Sequence, residues 1–157
     1  MQRYGKLAGL ACAAVLASTA FTARGDELPL LAAVQEGDHA VIQSLLDGEA
    51  DIDAARGDGT TALALAVYRG DTGTVDLLIE SGADVDAAND YGVTPLSLAC
   101  LNGDAGIFRR LLEAGANPDL AKQTGETPLM TCTNTGDVAG VKLLLEHGAD
   151  VNARENV

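Results

Sequence analysis

The chain has 157 residues, a length that suits one ordinary domain better than two. Its 10 Lys and Arg are outnumbered by 23 Asp and Glu, and the resulting net charge of −13 argues against a nucleic-acid binder, because phosphate contacts need clustered basic side chains. The apolar fraction of 47% excludes a disordered chain, and the 3% aromatic content without Trp predicts an aliphatic core of closely packed helices.

Residues 1–25 have the three-part layout of a secretory signal peptide. Arg3 and Lys6 precede an uncharged, Ala-rich run over residues 7–23. This run is shorter than the roughly 20 strongly apolar residues of a spanning helix, so we expect cleavage, after Ala20 or before Asp26, instead of a retained anchor. Cleavage before Asp26 removes three basic residues and no acid, which shifts the net charge from −13 to −16. We expect a periplasmic or secreted protein with no stable membrane insertion after cleavage.

From residue 26 onward, short motifs recur with a fixed period. A Gly-Asp pair begins at Gly37, Gly70, Gly103 and Gly136. An aliphatic pair begins at Leu45, Leu78, Leu111 and Leu144. A turn glycine recurs at Gly59, Gly92 and Gly125. A period of about 33 residues predicts a stack of four supersecondary units at about 26–57, 58–90, 91–123 and 124–157, none of which buries its apolar face alone.

Each unit is predicted to contain two short helices. Apolar residues at i, i+3 and i+4, such as Ile42, Leu45 and Leu46, form one face of the second helix. The glycine of each Gly-Asp pair suits the end of the first helix, and the Asp suits the start of the second. We expect the polar segments between units, which carry the turn glycines, to project from the stack.

At these positions the sequence resembles the ankyrin repeat family. The motif Thr-Pro-Leu-x-x-Ala stands at 94–99, with variants at 61–66 and 127–132, and Gly-Ala-Asp-Val-Asp/Asn-Ala stands at 82–87 and 148–153. The resemblance covers essentially all of the mature chain. It implies an all-α solenoid of four helix-turn-helix units with short β-turn fingers, which here follows the predicted signal peptide.

Two departures from the family pattern carry expectations of their own. The His of the family motif is replaced by Ala64, Ser97 and Met130, so we expect its hydrogen bonds to the neighbouring turns to be missing. The first helix of the last unit carries three threonines, so we expect that helix to fit more loosely; they are Thr131, Thr133 and Thr135.

Acidic pairs follow the second helix of every unit. They are Asp51 and Asp53, Asp84 and Asp86, Asn117 and Asp119, and Asp150 and Asn152. A calcium site or a small metal-dependent hydrolase is the alternative, and either needs ligands that converge on one point. Because units repeat at about the 8–10 Å spacing of packed helices, we expect turns in which Asp side chains bond nearby backbone amides. We expect no catalytic residue, metal or cofactor.

Cys100 and Cys132 occupy the first helices of adjacent units. Bridging requires Cα atoms closer than about 7 Å, whereas the axes of packed helices lie about 8–10 Å apart. We therefore expect buried structural thiols. A disulfide is the alternative that an oxidising compartment leaves open.

The resemblance implies a non-enzymatic protein–protein interaction module that binds along its concave face, formed by the finger tips and the exposed side of the first helices. This places candidate partner contacts at Tyr68, Arg69, Asp90, Tyr91, Val93, Leu101, Asn102, Glu126 and Asn134. Aromatic residues are favoured anchors at interfaces, and the negative charge predicts a basic protein partner. We expect a monomer that serves as a scaffold, as an inhibitor or immunity-type antagonist, or as an accessory factor of an exported enzyme.

Overall fold

The computed structural model describes residues 28–48 and 50–156, so the predicted signal peptide lies outside the described residues. In these ranges the chain forms eight helices: α1 (Pro29–Glu36), α2 (His39–Leu46), α3 (Ala62–Arg69), α4 (Thr72–Glu80), α5 (Pro95–Asn102), α6 (Ala105–Glu113), α7 (Pro128–Thr135) and α8 (Val138–Glu146). None of these helices has the length and apolarity needed to cross a bilayer.

The helices form two layers, and their pairing confirms the predicted all-α solenoid of four units. The first helices of the units, α1, α3, α5 and α7, pack side by side in chain order, and the second helices, α2, α4, α6 and α8, pack along them as the other layer. The hydrophobic core between the layers is aliphatic apart from Phe108 and two cysteines, and Phe108 is fully buried with Leu63, Leu78 and Leu96. Each unit therefore buries its apolar face against its neighbours.

Side chains at the helix ends explain why the helices begin and end where they do. Thr61 caps α3 by accepting a hydrogen bond from the Ala64 N–H at 3.3 Å. Gly70 ends the same helix in the left-handed conformation, with a φ of 68°. Asp71 then caps α4 by accepting from the Thr74 N–H at 3.1 Å. This Gly-Asp arrangement recurs in all four units, as the sequence predicts.

The segments between units form the predicted fingers, which are β-turns closed by backbone hydrogen bonds at 56–60, 89–93 and 122–126. Each finger is also bonded to the next one. The N–H of Asp90 donates to the Asp58 carbonyl at 3.0 Å, and the N–H of Gln123 donates to the Tyr91 carbonyl at 3.1 Å. The fingers therefore form a continuous row.

The acidic pairs form turns, as predicted, and they also join the units. Within one turn, Asp84 accepts a hydrogen bond from the Asp86 N–H at 2.9 Å. Between units, Asp86 accepts from the Asn117 N–H at 2.9 Å, and the same bond recurs between Asp53 and Asp84 and between Asp119 and Asp150. We call this row of carboxylate–amide bonds the aspartate ladder.

The expectation of separate thiols at Cys100 and Cys132 is wrong, because the structure has a disulfide between them. Their Cα atoms are 4.8 Å apart. The expectation failed because it treated the distance between helix axes as the distance between residues. A Cα atom lies about 2.3 Å from its own helix axis, so two Cα atoms that face each other are much closer than the axes are.

The two departures from the family motif have different outcomes. Ser97 is buried with its hydroxyl 3.2 Å from the Thr94 Oγ1, so part of the missing hydrogen bonding is replaced within the unit. In the last unit, the Thr135 Oγ1 donates to the Cys100 carbonyl at 3.2 Å and bonds units 3 and 4 directly. However, Leu129 is only half-buried where its counterpart Leu96 is fully buried, in agreement with a looser fit.

Candidate partner-binding face

A groove of about 250 Å³ lies where the fingers meet the first helices of units 2 and 3. Its lining comes from two fingers and two helices and consists of Arg56, Thr60, Ala64, Leu65, Tyr68, Asn89, Val93 and Leu98. We call it the finger groove. Ala64, Leu65, Val93 and Leu98 are the aliphatic part of the lining, and Arg56, Thr60 and Asn89 add polar groups.

Tyr68 and Val93, two of the predicted partner contacts, line this groove. Tyr68 lies on the last turn of α3 and is 65% exposed, whereas Val93 closes the 89–93 finger and is half-buried. An exposed aromatic ring beside aliphatic residues suits an interface anchor, because Tyr is among the residues enriched at such positions. The structure therefore brings these two residues together, although they belong to different units.

Asp90 and Tyr91 lie at the tip of the same finger. The backbone of Asp90 is held on both sides, by the Asp58 carbonyl and by the Gln123 side-chain amide, which donates to the Asp90 carbonyl. The Tyr91 ring is 68% exposed. The finger backbone is thus fixed by its neighbours while the two side chains remain available to a partner.

Leu101, Asn102 and Arg69 lie near the ends of first helices. Leu101 is 54% exposed on α5, one unit along from Tyr68. The Asn102 side-chain amide donates to the carbonyls of Val67 and Tyr68, at 2.7 and 3.1 Å, so it holds units 2 and 3 together. The Arg69 side chain reaches back toward Gly37 at the end of α1.

Glu126 and Asn134 extend the predicted face to the fourth unit. Glu126 accepts a hydrogen bond from the Thr131 Oγ1 at 2.8 Å and pairs with Lys122 at 3.0 Å. The Thr131 hydrogen bond, followed by the Lys122 pair, lowers the pKa of Glu126 and keeps it ionised. Asn134 is exposed on α7 at the position that Tyr68 and Leu101 hold in their units.

Four residues that complete the finger groove are not among the partner contacts predicted from the sequence: Arg56, Leu65, Asn89 and Leu98. Leu65 and Leu98 hold equivalent positions in successive units, and each precedes an exposed residue of the same face, Tyr68 or Leu101, by three positions. That i, i+3 spacing on one helix face was the available signal. Arg56 carried no such signal, since its position depends on a hydrogen bond with the side chain of Gln35, which lies on α1.

Within the described ranges, no three His, Cys, Asp or Glu side chains gather into a group that could hold a metal ion. The carboxylates of the aspartate ladder instead accept hydrogen bonds from backbone amides.

Comparison with known proteins supports this architecture. A family model described as ankyrin repeats (3 copies) matches residues 16–89 and 71–155, which together span most of the chain. No curated protein matches the chain. The family match agrees with the four helix pairs, the fingers and the Thr-Pro-Leu motifs at the helix starts. The chain is therefore an all-α protein–protein interaction module that belongs to the ankyrin repeat family.

Proposed function

We propose that the chain binds a partner protein through the finger groove and the exposed residues around it. The observation that carries the proposal is the groove lined by the exposed Tyr68. Tyr91 is exposed on a finger that lines this groove, and Leu101 is exposed on the first helix of the next unit. Exposed apolar side chains that surround a concave site, with polar groups at its rim, are typical of protein interfaces. The rigid finger row lowers the entropy cost of binding, since little backbone has to become ordered.

We expect the partner to be a basic protein. The whole chain carries a net charge of −13, and Asp58 and Asp90 present exposed carboxylates on two neighbouring fingers. The hydrogen bond from the Thr60 N–H lowers the pKa of Asp58, so this carboxylate stays charged well below neutral pH. A negative finger row beside an apolar groove suits a protein that presents an apolar side chain among Lys or Arg residues.

We place the protein in the periplasm or outside the cell. The supporting observations are the signal-peptide layout of residues 1–25 and the disulfide between Cys100 and Cys132, a bond that persists in oxidising compartments. There the protein acts by occupying a partner's surface, as an antagonist or an accessory factor of an exported enzyme. N-terminal sequencing of the protein from the native host tests the location, since Met1 retained on the mature chain contradicts it.

Photocrosslinking tests the binding face even while the partner is unidentified. A photoreactive phenylalanine analogue is introduced at Tyr68 and, as a matched control, at Arg109, which is exposed on α6 in the other helix layer. After irradiation in the native compartment, we expect one partner band from position 68 and none from position 109. Equal crosslinking from both positions contradicts the assignment of the face.

Replacement of Tyr68 and Tyr91 by Ala then measures what the anchors contribute. We expect at least about a tenfold loss of affinity for the captured partner, because truncation of an aromatic interface anchor commonly costs about 2 kcal/mol or more. Helical circular dichroism should stay unchanged, since both rings are exposed. An unchanged Kd in the double variant is the result that rejects the groove.

A further inference from the structure

The disulfide lies at the junction between the last two units of the stack. It joins α5 of unit 3 to α7 of unit 4, and both cysteines are fully buried, at 1% and 0% exposure. Since the bond is shielded from solvent, a reductant reaches it only when unit 4 opens. A bond in this position links unit 4 covalently to unit 3.

Two positions beside the disulfide differ from their counterparts in the other units. The position of Cys132 is Ala elsewhere, at Ala33, Ala66 and Ala99. The position of Gly140 on the second helix is larger elsewhere, at Val41, Thr74 and Ile107. Unit 4 thus has a larger residue on the first helix and a residue without a side chain on the second.

Direct contact between positions 132 and 140 explains why unit 4 differs from the other units at both of them. A Cβ atom placed on Gly140 would lie 2.6 Å from the Cys132 Sγ, well inside contact distance, and it would also meet the Asp137 carboxylate that caps α8. Gly140 is buried in the first turn of α8, and glycine is a weaker helix former than Ala. The helix therefore carries an unfavourable residue at the place where the sulfur of Cys132 needs room.

Unit 4 also has a weaker apolar attachment than unit 3. Leu129 of α7 is only half-buried, and α7 has Thr131 at the position where α5 has Leu98. At the end of the stack, Leu145 is 46% exposed, whereas its counterpart in unit 3, Leu112, is buried. Unit 4 has a neighbour on one side in the described structure, so its hold on unit 3 determines whether it stays folded.

We propose that the Cys100–Cys132 disulfide is a clamp that holds unit 4 on the stack. The absence of a side chain at Gly140 leaves room for the sulfur of Cys132. Reduction by a dithiol breaks the S–S bond, gives two cysteine thiols and converts the dithiol to its cyclic disulfide. Unit 4 is then released from unit 3, and the part of the partner-binding face that it carries is no longer fixed. The clamp does not depend on the proposed binding function, although that function is what it would regulate.

Hydrogen exchange with mass spectrometry tests the clamp in the full chain. Exchange in α7 and α8 is compared between the oxidised protein and the protein kept in dithiothreitol, with α3 and α4 as the internal reference. We expect at least about a tenfold faster exchange in α7 and α8 on reduction, because closing a loop of this size commonly contributes a larger factor than that to stability. The reference helices should change far less. Equal exchange in both redox states overturns the proposal, as does titration of free thiols at Cys100 and Cys132 in protein purified without reductant.

A pair of substitutions separates the clamp from simple packing. The double variant Cys132→Ala with Gly140→Ile reproduces the residues of unit 3 at these two positions. We expect it to fold with protection in α7 and α8 that no longer responds to dithiothreitol. Gly140→Ile alone, in contrast, should block disulfide formation or expose α8 to exchange. A Gly140→Ile protein with an intact disulfide and wild-type exchange would show that the glycine makes no room for the bond.

Discussion

Gly92 lies at the contact between the 89–93 finger and the 122–126 finger. Its φ of 77° is in the left-handed region, and a Cβ atom there would stand 2.9 Å from the backbone of Lys122 and of Gln123 in the following finger. Two separate constraints therefore select glycine at this position: the turn conformation and the close approach of another backbone. Gly70 has the first constraint alone, with a φ of 68° and no atom within 4 Å of a Cβ placed there.

The comparison of these two glycines gives a prediction. Gly70→Ala should lower the free energy of unfolding by about 1–2 kcal/mol, the cost of a left-handed non-glycine residue. Gly92→Ala should lower it by about 2–4 kcal/mol, because backbone of the next finger also has to move. Urea denaturation of both variants measures the two losses. Equal losses would mean that the finger row yields easily and does not constrain Gly92.

Asp71 combines two bonds that the sequence motifs describe separately. It caps α4 through the Thr74 N–H and hydroxyl, and it pairs with His39 of unit 1 at 3.1 Å. Burial opposes ionisation of Asp71, but the hydrogen bonds from Thr74 and His39 outweigh it and lower the pKa of the carboxyl. The lowered pKa means that the folded state favours the carboxylate form more strongly than the unfolded state does.

A pH dependence follows from this lowered pKa. Stabilisation by such a carboxylate is complete above the unfolded pKa of about 4 and is lost as the pH falls through the folded pKa. At pH 7, Asp71→Ala should therefore cost about 1–2 kcal/mol of unfolding free energy, mainly from the lost cap. The difference between wild type and variant should shrink as the pH is lowered from about 5 toward 3, which urea titrations at each pH measure. A difference that stays constant over this range contradicts the role of the ionised side chain.

At the scale of the helices and turns, the aspartate ladder ties the units together. Asp86 accepts from the Asn117 N–H of the next unit, and its own N–H donates to Asp84 within the turn. One residue thus orders a turn and fixes the position of the neighbouring unit. The constant period of the sequence exists partly because this bond needs the same side chain at the same place in successive units.

Asp86→Ala should lower the unfolding free energy by about 1 kcal/mol, the net value of a typical intramolecular hydrogen bond. Asp90→Ala is the matched control, because its exposed side chain lies at a finger tip outside the ladder, and it should stay within about 0.5 kcal/mol of wild type. Thermal melts with and without calcium complete the test. A calcium-dependent rise of Tm that Asp86→Ala abolishes would instead favour the metal-binding alternative.

The elements themselves could be predicted because their signals are local. Gly70 and Asp71 mark a helix end and a helix start through their own conformations and side chains, and the period repeats that signal in each unit. The contacts between units are harder to predict from the sequence, since they depend on how closely two helices approach each other. The Cys100–Cys132 bond joins residues about one unit apart, and the sequence contains no distance information of that kind. Gly140 was the available clue to the bond, because the other three units have larger residues at this position of the second helix.

On the scale of the whole molecule, geometry and charge act on different stages of binding. The finger groove offers Tyr68 and aliphatic contacts that exist only after docking, so they determine how slowly a complex dissociates. The net charge of −13 acts at longer range and determines how often a basic protein meets the groove in a productive orientation. A single dissociation constant combines these two contributions, whereas separate rate constants distinguish them.

The last prediction uses that separation. For the partner captured by photocrosslinking, the association rate constant should fall by about tenfold or more between low salt and about 0.5 M NaCl, while the dissociation rate constant changes little. Neutralising the finger tips with Asp58→Asn and Asp90→Asn should slow association at low salt and flatten the salt dependence. Tyr68→Ala should act in the opposite way, with faster dissociation and an unchanged salt slope. Association that does not respond to salt, measured by surface plasmon resonance across this range, would show that the partner is not selected by its positive charge. The groove contacts alone would then have to account for recognition.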